Sequence, residues 1–384
     1  MSSSLWMHKP AVTWPLKCDL AIVGGGFVGL STAYWYSEFF PDRKIVIIEK
    51  NHCGAGASGR NAGFLTKGSA SFYKTLKEKF SEKISLKIER FAFESVSLTQ
   101  KFLQDNSSAK EYFQTSSYTL FQKSNWEKFN NEEFDYKAWG YSEIQNKDLP
   151  DYLKTNFHCA LEAENEASVN PVELLHALKE ELLERGVQIL EHITGYELND
   201  HGVLTELGVI EAHTSVLALN GYLQQFGQDL KHLVIPQRAQ MLAVKLAKPI
   251  SSTVLHYDSP DKVYWKLRDP KTLLIGGKRM LDEKNENTLH DSVNPIVQKG
   301  LEDYLKNVLH VDYQVLKRWS GVMGFTQDEL PYIEKLKTSS NTFIIGGFGG
   351  HGMGLGFLSA RNLVELMSQK VNESFFSELR KKKL

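Results

Sequence analysis

The pattern of apolar and polar positions predicts a strand, a helix and a second strand near the N-terminus. Residues 19–23 contain a short apolar run, typical of a buried parallel strand, and a glycine-rich turn follows at once. Apolar positions at helical spacing begin at Leu30, and a second apolar run, residues 45–48, ends at Glu49. Together these elements make one βαβ unit of about thirty residues.

Helical and strand-like segments then alternate along the rest of the chain. An amphipathic helix is predicted over residues 72–103, whereas residues 105–157 are polar and aromatic and give no clear assignment. Asn170 and Pro171 predict the start of another helix, because asparagine caps helices and proline suits their first position, and Gly186 predicts its end. Strand-like runs lie at 187–190, 203–204, 209–210, 215–219, 240–246, 263–267, 273–277 and 342–345.

The order of these elements predicts an α/β fold with two interleaved domains. The first is a Rossmann-type nucleotide-binding domain of residues 16–65, 158–222 and 320–384, built from both ends of the chain. The second is an inserted α+β domain of residues 66–157 and 223–319, with a mainly antiparallel sheet that binds the substrate.

Composition and charge exclude several classes of partner. Lysine and arginine number 45 and aspartate and glutamate 46, so the net charge of −1 gives no support for binding nucleic acid or an anionic membrane. No apolar run reaches the roughly 18 residues of a membrane span, and residues 1–15 do not resemble a secretory signal. Three cysteines without a CxxC pair and twelve histidines without HExxH spacing predict no metal site, and the cysteines favour a reducing, cytoplasmic location.

The turn after the first strand carries the spacing Gly24-x-Gly26-x-x-Gly29. The first glycine allows the tight turn, the second lets backbone approach a pyrophosphate, and the third allows close packing of helix on strand. Glu49 lies 20 residues after Gly29, where a carboxylate accepts hydrogen bonds from a ribose. This arrangement of strands, helix and acid predicts dinucleotide binding, but it does not separate NAD from FAD.

Two further glycine-rich segments resemble the flavin-binding loops of the D-amino-acid oxidase superfamily, which are FAD-dependent amine and amino-acid oxidases and dehydrogenases. Residues 54–63, GAGASGRNAG, are similar to the flavin-side loop of that family, and residues 346–353, GGFGGHGM, are similar to its C-terminal flavin loop. Residues 218–221, 319–321 and 326–331 match further family positions in the expected order. The resemblance spans nearly the whole chain and is closest to the γ-glutamylputrescine oxidase-like subgroup.

The resemblance implies FAD as the cofactor and an FAD-binding role for the Rossmann-type domain. Glycine-rich backbone suits this cofactor, because its N–H groups can lie against a flat ring and its phosphates. A last helix that begins near Gly354 would face the flavin N1/O2 edge with its N-terminus. The residues expected to bind the cofactor are Gly24, Gly26, Phe27, Val28, Gly29, Glu49, Lys50, Ser58, Arg60, Asn61, Ala62, Gly63, Asn220, Gly221, Gly321, Gly349, Gly350, His351, Gly352 and Met353.

The activity implied by the resemblance is oxidation of the C–N bond of a small-molecule amine or amino acid. A hydride passes from the carbon beside a neutral nitrogen to flavin N5, water hydrolyses the imine, and oxygen or another acceptor takes up the electrons. Two alternatives stay open: a dehydrogenase of a hydroxy acid or glycerol phosphate type substrate, and a flavin-binding subunit without turnover of its own. A nicotinamide dehydrogenase is a third alternative, which the C-terminal loop disfavours.

Several positions depart from the sarcosine oxidase branch of the superfamily. Gly321 stands where that branch attaches flavin through cysteine, and Arg60 stands near the histidine linkage of other relatives, so the resemblance implies non-covalent FAD. Gly354 stands where that branch has a lysine that binds the substrate carboxylate. The absence of this lysine disfavours a small N-methyl amino acid as substrate. The lysine linked to oxygen activation falls at about Leu274, with Lys278 four residues on, so oxidase and dehydrogenase both stay open.

The residues nearest the reacting atoms follow from the same resemblance. Lys278 and His351 are expected to be catalytic, although His351 could meet the flavin through its backbone alone. The inserted sheet is expected to cover the open face of the flavin with aromatic and apolar side chains. The expected substrate-binding residues are Tyr264, Trp265 and Met323, and further candidate anchors are Arg238 and Arg268.

Overall fold

The computed structural model describes residues 14–106, 111–130, 134–199, 201–227, 230–259, 262–337, 339 and 341–381. The interpretation of residues 1–15 as lacking a secretory signal therefore falls almost wholly outside the described residues. In the part of the chain that is described, no helix combines the length and the hydropathy needed to cross a membrane.

Strands and helices alternate through the described residues. The strands are β1 (Leu16–Val23), β2 (Ile45–Glu49), β3 (Phe64–Leu65), β4 (Tyr112–Phe121), β5 (Tyr141–Gln145), β6 (Cys159–Val169), β7 (Gln188–Glu191), β8 (Gly195–Asn199), β9 (Gly202–Thr205), β10 (Gly208–Leu217), β11 (Ile235–Leu246), β12 (Leu255–Asp258), β13 (Val263–Asp269), β14 (Thr272–Gly277), β15 (Tyr313–Phe325), β16 (Tyr332–Lys335) and β17 (Thr342–Gly346). The helices are α1 (Phe27–Phe39), α2 (Ala70–Lys79), α3 (Glu82–Asp105), α4 (Lys123–Asn130), α5 (Asp151–Lys154), α6 (Pro171–Glu184), α7 (Glu283–Glu286), α8 (Pro295–Asn307), α9 (Gly352–Met367) and α10 (Phe375–Lys381).

The first sheet is mainly parallel and joins both ends of the chain. Its order is β16-β17-β10-β1-β2-β7, with β9 paired to β10 and β8 to β9. The strands from β17 to β7 are parallel, and the apolar parts of β1 and β2 are buried on both faces, as strands covered on both sides require. Helix α1 packs against α9, and the indole of Trp35 donates to the carbonyl of Phe357 at 2.9 Å. The predicted βαβ unit is therefore confirmed as the centre of a Rossmann-type sheet.

The second sheet is mainly antiparallel and has the order β15-β11-β14-β13-β12-β4-β6-β3, with β5 paired to β6. Only the β12–β4 pair among these described strands is parallel. Helix α8 packs on β11 and β14 and buries apolar residues in a core shared with β13. The α/β fold class with a second, antiparallel sheet is confirmed.

Three elements differ from the sequence-based expectation. The helix predicted over residues 72–103 is two helices, because Ser81 interrupts the helical backbone and its hydroxyl caps α3 at Ile84. The two strand-like runs at 209–210 and 215–219 belong largely to the single strand β10. The region without an assignment contains β4, α4, β5 and α5, and β4 contains four consecutive polar residues, 114–117.

The division into two domains stays a prediction, and the sheets show where individual strands lie. β3, β6 and the C-terminal part of β15 pair in the second sheet, although their residues fall in segments assigned to the nucleotide-binding domain. These strands therefore pair outside the unit to which the sequence assigned them.

Candidate active site

The turn between β1 and α1 has a geometry that requires glycine. Gly24 has a φ of +113°, and a Cβ there would lie 2.6 Å from the carbonyl oxygen of Ala218, beyond the end of β10. A Cβ on Gly29 would overlap the carbonyl oxygen of Gly24, so α1 packs directly on the turn. Gly26 caps α1 without any side-chain hydrogen bond. Because the first N–H groups of a helix have no partners within it, this helix end can bind an anion.

The carboxylate of Glu49 lies at the end of β2, beside the same turn. It accepts hydrogen bonds from the backbone N–H groups of Gly25, at 2.8 Å, and Asn51, at 2.9 Å. These bonds hold the acid at the position from which a carboxylate binds the ribose of a dinucleotide. The neighbouring Lys50 is exposed.

The first glycine-rich loop, residues 54–63, lies against this turn and is ordered by its own side chains. The Ser58 hydroxyl accepts a hydrogen bond from the N–H of Phe27 at 2.9 Å, which links the loop to α1. Asn61 donates to the carbonyl of Ser58 at 2.7 Å and accepts from the N–H of Gly63 at 2.7 Å. The structure therefore brings Ser58 and Asn61 to the end of α1, where the sequence predicts the cofactor.

Arg60 joins this loop to the second sheet. Its guanidinium donates to the carbonyl of Ser320 at 3.1 Å and pairs with Asp291 at 2.6 Å. The indole of Trp319 donates to the carbonyl of Arg60 at 2.9 Å, and a Cβ on Gly321 would lie 3.3 Å from the Cβ of Arg60. Gly321 thus faces the loop, and Arg60 fixes the distance between the loop and β15.

Gly63 ends the loop beside a buried lysine that sequence reasoning missed. The Lys266 ammonium donates to the hydroxyl of Ser168 at 2.9 Å and to the carbonyls of Val169 at 3.2 Å and Gly63 at 3.5 Å. The residue is 6% exposed, and burial lowers the pKa of Lys266 to about 8. Its cross-strand partner is Leu274, the position at which the superfamily lysine is absent. The sequence feature that could have indicated this buried lysine is its position among the apolar residues of β13.

The second glycine-rich loop follows β17 and is held from the side by the segment after β10. Asn220, at φ +47°, accepts a hydrogen bond from the N–H of Gly347 through its Oδ1 at 2.9 Å. A Cβ on Gly221 would lie 2.5 Å from the carbonyl oxygen of Met323 on β15. Asn220 and Gly221 therefore lie where β10, β15 and the second loop meet.

The second loop ends at α9, which begins at Gly352, two residues before Gly354 and thus near the predicted start. The N–H of Gly349 donates to the carbonyl of Gly324 at 2.7 Å, whereas a Cβ on Gly350 would meet no atom within 4 Å. His351 caps α9 without a side-chain hydrogen bond, so the first N–H groups of this helix can also bind an anion. Buried or partly buried beside the two loops are Val28, Ala62 and Met353.

The imidazole of His351 lies against an aromatic ring that the sequence did not indicate. It stacks on Phe72 of α2, with ring centroids 3.6 Å apart and planes 22° apart. Burial lowers the pKa of His351 to about 4, so the ring is neutral at pH 7. His351 is therefore a weak base, and its expected catalytic role stays a prediction.

Two of the predicted substrate-binding residues, Tyr264 and Trp265, are consecutive in β13. Their side chains therefore point to opposite faces of the sheet. Tyr264 packs edge-on against Phe64, with centroids 5.9 Å apart, beside the first loop. Trp265 is fully buried in the core beneath α8 and stacks on His256 with centroids 3.6 Å apart. The prediction that Trp265 lines the substrate site was wrong. Met323 is partly buried on β15.

The described contacts of the lysine and arginine candidates of the second sheet are with residues outside the two loops. The Lys278 ammonium lies 5.6 Å from the ring centroid of Tyr304 on α8, which places it on the α8 side of β14. Arg238 forms a buried ion pair with Glu286 at 2.9 Å. Arg268 is more than half exposed and forms an ion pair at the surface.

Arg238 also donates to the carbonyl of His290 and to the hydroxyl of Ser292. These two residues flank Asp291, the partner of Arg60, so Arg238 lies near the first loop. The roles expected of the three candidates stay predictions.

Gly354 marks a close contact between α9 and the chain that leaves β3. A Cβ on Gly354 would overlap the carbonyl oxygen of Thr66. The hydroxyl of Thr66 in turn hydrogen-bonds to that of Tyr257 at 2.7 Å. A lysine at position 354 does not fit this backbone, so any group that binds a substrate carboxylate must come from another element.

These residues fit an FAD molecule. At the N-termini of α1 and α9 the N-cap residues make no side-chain hydrogen bond, and the N–H groups of the first turns can bind anionic parts of a ligand, apart from that of Phe27, which donates to Ser58. Glu49 provides the carboxylate for a ribose, and the backbone of Gly26 is partly exposed at the first turn, where a pyrophosphate would lie. Among the described residues, no group of three or more histidine, cysteine, aspartate or glutamate side chains is placed to hold a metal ion.

Comparison with known proteins identifies the family. The sequence profile of the FAD dependent oxidoreductase family, DAO, matches residues 19–366. The gamma-glutamylputrescine oxidoreductase of Escherichia coli (strain K12) is 22% identical over 373 residues, which cover 92% of this chain and 84% of that protein. The chain belongs to the FAD-dependent oxidoreductase family, and its cofactor is FAD.

Two solved structures share the fold over almost their full length. The L-proline dehydrogenase of P. horikoshii has a TM-score of 0.77 at 17% identity, covering 96% of this chain and all of that one. The glycine oxidase of Bacillus cereus ATCC 14579 has a TM-score of 0.76 at 19% identity, covering 94% of this chain and 99% of that one.

Proposed function

We propose that this FAD-dependent oxidoreductase oxidises the C–N bond of an amine or amino acid. The carbon beside the nitrogen loses a hydride, and the resulting imine is hydrolysed by water to a carbonyl compound and a free amine or ammonia. FAD, when bound, supplies the acceptor for the hydride. The protein holds the substrate, orients its C–H bond and keeps the nitrogen unprotonated.

The protonation states of the titratable side chains beside the loops support this proposal. His351 is a neutral, weak base, and the pKa of Tyr264 is raised to about 12 by burial, so its hydroxyl keeps its proton at pH 7. Hydride loss from a neutral amine needs no strong base. Oxidation of an alcohol carbon, by contrast, needs a base for the hydroxyl proton. The surroundings therefore favour an amine over a hydroxy acid.

The names of the relatives support the same chemistry. Gamma-glutamylputrescine oxidoreductase, glycine oxidase and L-proline dehydrogenase are all named for nitrogen compounds. The three matches cover 92%, 94% and 96% of this chain.

Anaerobic reduction of the FAD-loaded protein tests the proposal. Amines and amino acids are mixed separately with it, in parallel with 2-hydroxy acids and glycerol 3-phosphate, and the visible flavin absorbance is followed. We expect bleaching by at least one nitrogen compound and by none of the others. Bleaching only by a hydroxy acid or by glycerol phosphate, or no bleaching at all, would contradict the proposed function.

We further propose that the enzyme acts in the cytoplasm, with oxygen or another electron acceptor completing the cycle. All three cysteines, Cys18, Cys53 and Cys159, are free thiols, which suits a reducing compartment. Admission of air to the reduced protein identifies the acceptor class. Rapid return of the absorbance, with hydrogen peroxide formed, indicates an oxidase, and return only with an added quinone indicates a dehydrogenase.

A further inference from the structure

A buried oxygen without a hydrogen-bond donor lies on β11, the strand that pairs with β15. It is Oε1 of the Gln237 side chain, which is inaccessible to solvent and accepts no hydrogen bond from any of the described residues. An amide oxygen that is buried without a donor costs free energy, and most such atoms in folded proteins have a partner. This oxygen therefore indicates a position at which a bound molecule supplies the donor.

The strand register places Gln237 on the face of the second sheet that meets the glycine-rich loops. Met241 lies opposite Gly276, and Gly276 lies opposite Tyr264, so these three residues share one face. Gln237 precedes Met241 by four residues and lies on the same face, because side chains alternate along a strand. Tyr264 packs against Phe64 beside the first loop. The amide of Gln237 thus faces the space between the second sheet and the loops.

The neighbours of Gln237 in the sheet cannot supply the donor. On the same face they are the residues two positions away on β11 and the residues opposite and diagonal to Gln237 on β15. None of them has a side-chain N–H or O–H group. These neighbours are Ile235, Ala239, Gly321, Met323 and Phe325. A molecule bound between the sheet and the loops can supply the missing donor.

The nitrogen of an amine substrate fits this oxygen. A neutral primary or secondary amine donates its N–H group to an amide oxygen, and its lone pair stays free to expel the hydride from the neighbouring carbon. A carboxylate at this position would instead favour the protonated ammonium, which has no lone pair. We propose that Gln237 accepts a hydrogen bond from the substrate nitrogen, so that primary and secondary amines are oxidised in preference to tertiary amines. This inference rests on the proposed function and names the substrate class of that site.

Matched pairs of amines test the inference through anaerobic flavin reduction. Each nitrogen compound that bleaches the flavin is compared with its N-methylated tertiary counterpart, for example L-proline with N-methyl-L-proline and pyrrolidine with N-methylpyrrolidine. For wild type we expect faster reduction by the member whose neutral form has an N–H group. In Gln237→Met, which keeps the length and loses the acceptor, this preference should fall about 5- to 10-fold, as expected for one hydrogen bond. Gln314→Met, at an exposed position near the start of β15, is the matched control and should keep the preference.

The pH dependence of reduction in Gln237→Glu supplies a readout that a purely structural role would not move. This variant has nearly the same shape as wild type but carries a carboxylate, which stabilises the ammonium form of a bound amine. We expect the midpoint of the pH profile of flavin reduction to rise by about one unit. The midpoint for Gln314→Met should stay at the wild-type value.

Direct binding is a further measurement that needs no turnover. Pyrrole-2-carboxylate and furan-2-carboxylate have nearly the same shape and the same charge, and they differ in one ring N–H group. Both are titrated calorimetrically into the FAD-loaded wild type, Gln237→Met and Gln314→Met. We expect wild type and Gln314→Met to bind the pyrrole about 5- to 10-fold more tightly than the furan, and Gln237→Met to bind the two within about twofold.

The outcomes separate this inference from the proposed function. If Gln237→Met keeps the preference for N–H compounds, or if wild type shows none, the assignment of Gln237 is overturned. An equal loss for both members of a pair together with weaker FAD binding would show that Gln237 contacts the cofactor instead. If no nitrogen compound reduces the wild type, the proposed function fails, while the pyrrole and furan titrations still decide whether Gln237 accepts a hydrogen bond from a ligand. Failure of wild type to bind the pyrrole counts against the inference.

Discussion

Replacing Lys266 with methionine should remove a pH-dependent part of the free energy of unfolding. The Lys266 ammonium is buried between β13, β6 and the first glycine-rich loop, and it has carbonyl and hydroxyl oxygens as partners. Methionine has nearly the same length and no charge. The substitution therefore keeps most of the packing and removes the titration.

The magnitude follows from the pKa of Lys266, which burial lowers from 10.5 to about 8. Between these values the unfolded chain binds more protons than the folded protein, so stability rises with pH across this window. One pKa unit corresponds to about 1.4 kcal/mol, so the full gain is about 3 kcal/mol. Between pH 7 and pH 10, about 2.5 kcal/mol of it should be gained. Below pH 8 the folded protein carries the cost of a buried charge.

Urea unfolding of wild type and Lys266→Met at pH 7 and pH 10, with the same excess of FAD, measures this effect. The difference in unfolding free energy between the two proteins cancels the titration of all other groups. It should shift by about 2.5 kcal/mol in favour of wild type on going to pH 10. The exposed Lys271→Met variant is the control, and its difference from wild type should not change. A pH-independent difference for Lys266→Met would refute the reasoning.

Three further predictions concern the cofactor loops. Gly354→Ala should lower the unfolding free energy by about 1–3 kcal/mol, because the added Cβ would overlap the Thr66 carbonyl. At Gly350 an added Cβ meets open space, so Gly350→Ala should change the unfolding free energy by less than about 1 kcal/mol. Urea unfolding measures both variants. Glu49→Ala should weaken FAD binding about 10- to 100-fold, because it removes the carboxylate that accepts from the ribose and from the N–H of Gly25. Glu49→Gln should weaken FAD binding less, and a flavin fluorescence titration measures both variants. Denaturation and filtration should release all flavin from the protein, and flavin retained with the chain would contradict non-covalent binding.

The parts of the fold that follow from local sequence were predicted well. The turn from Gly24 to Gly29 and the acid at Glu49 lie within one βαβ unit, so their spacing alone sets their geometry. The cap at Asn170 is also local, and its side chain accepts from the N–H of Val172 at 3.1 Å. Such features need only a few neighbouring residues to take up their structure.

The parts that depend on strand register and on the packing of one element against another were not predictable. The sequence does not show that Lys266 lies opposite Leu274, because the strand register is set by packing across the sheet. The same holds for Trp265, whose buried side depends on which face of β13 meets α8.

The hydrogen bond between Trp35 and Phe357 joins residues 322 positions apart, and the strands on either side of β10 come from opposite ends of the chain. At a synthesis rate of about 5–20 residues per second, roughly 15 to 65 s pass between the synthesis of α1 and that of its partner helix α9. The side of α1 that packs on α9 stays uncovered for that interval, so we expect the nascent chain to need protection from aggregation until α9 is made. Premature termination a few dozen residues from the end would therefore yield a chain that aggregates rather than a smaller working enzyme.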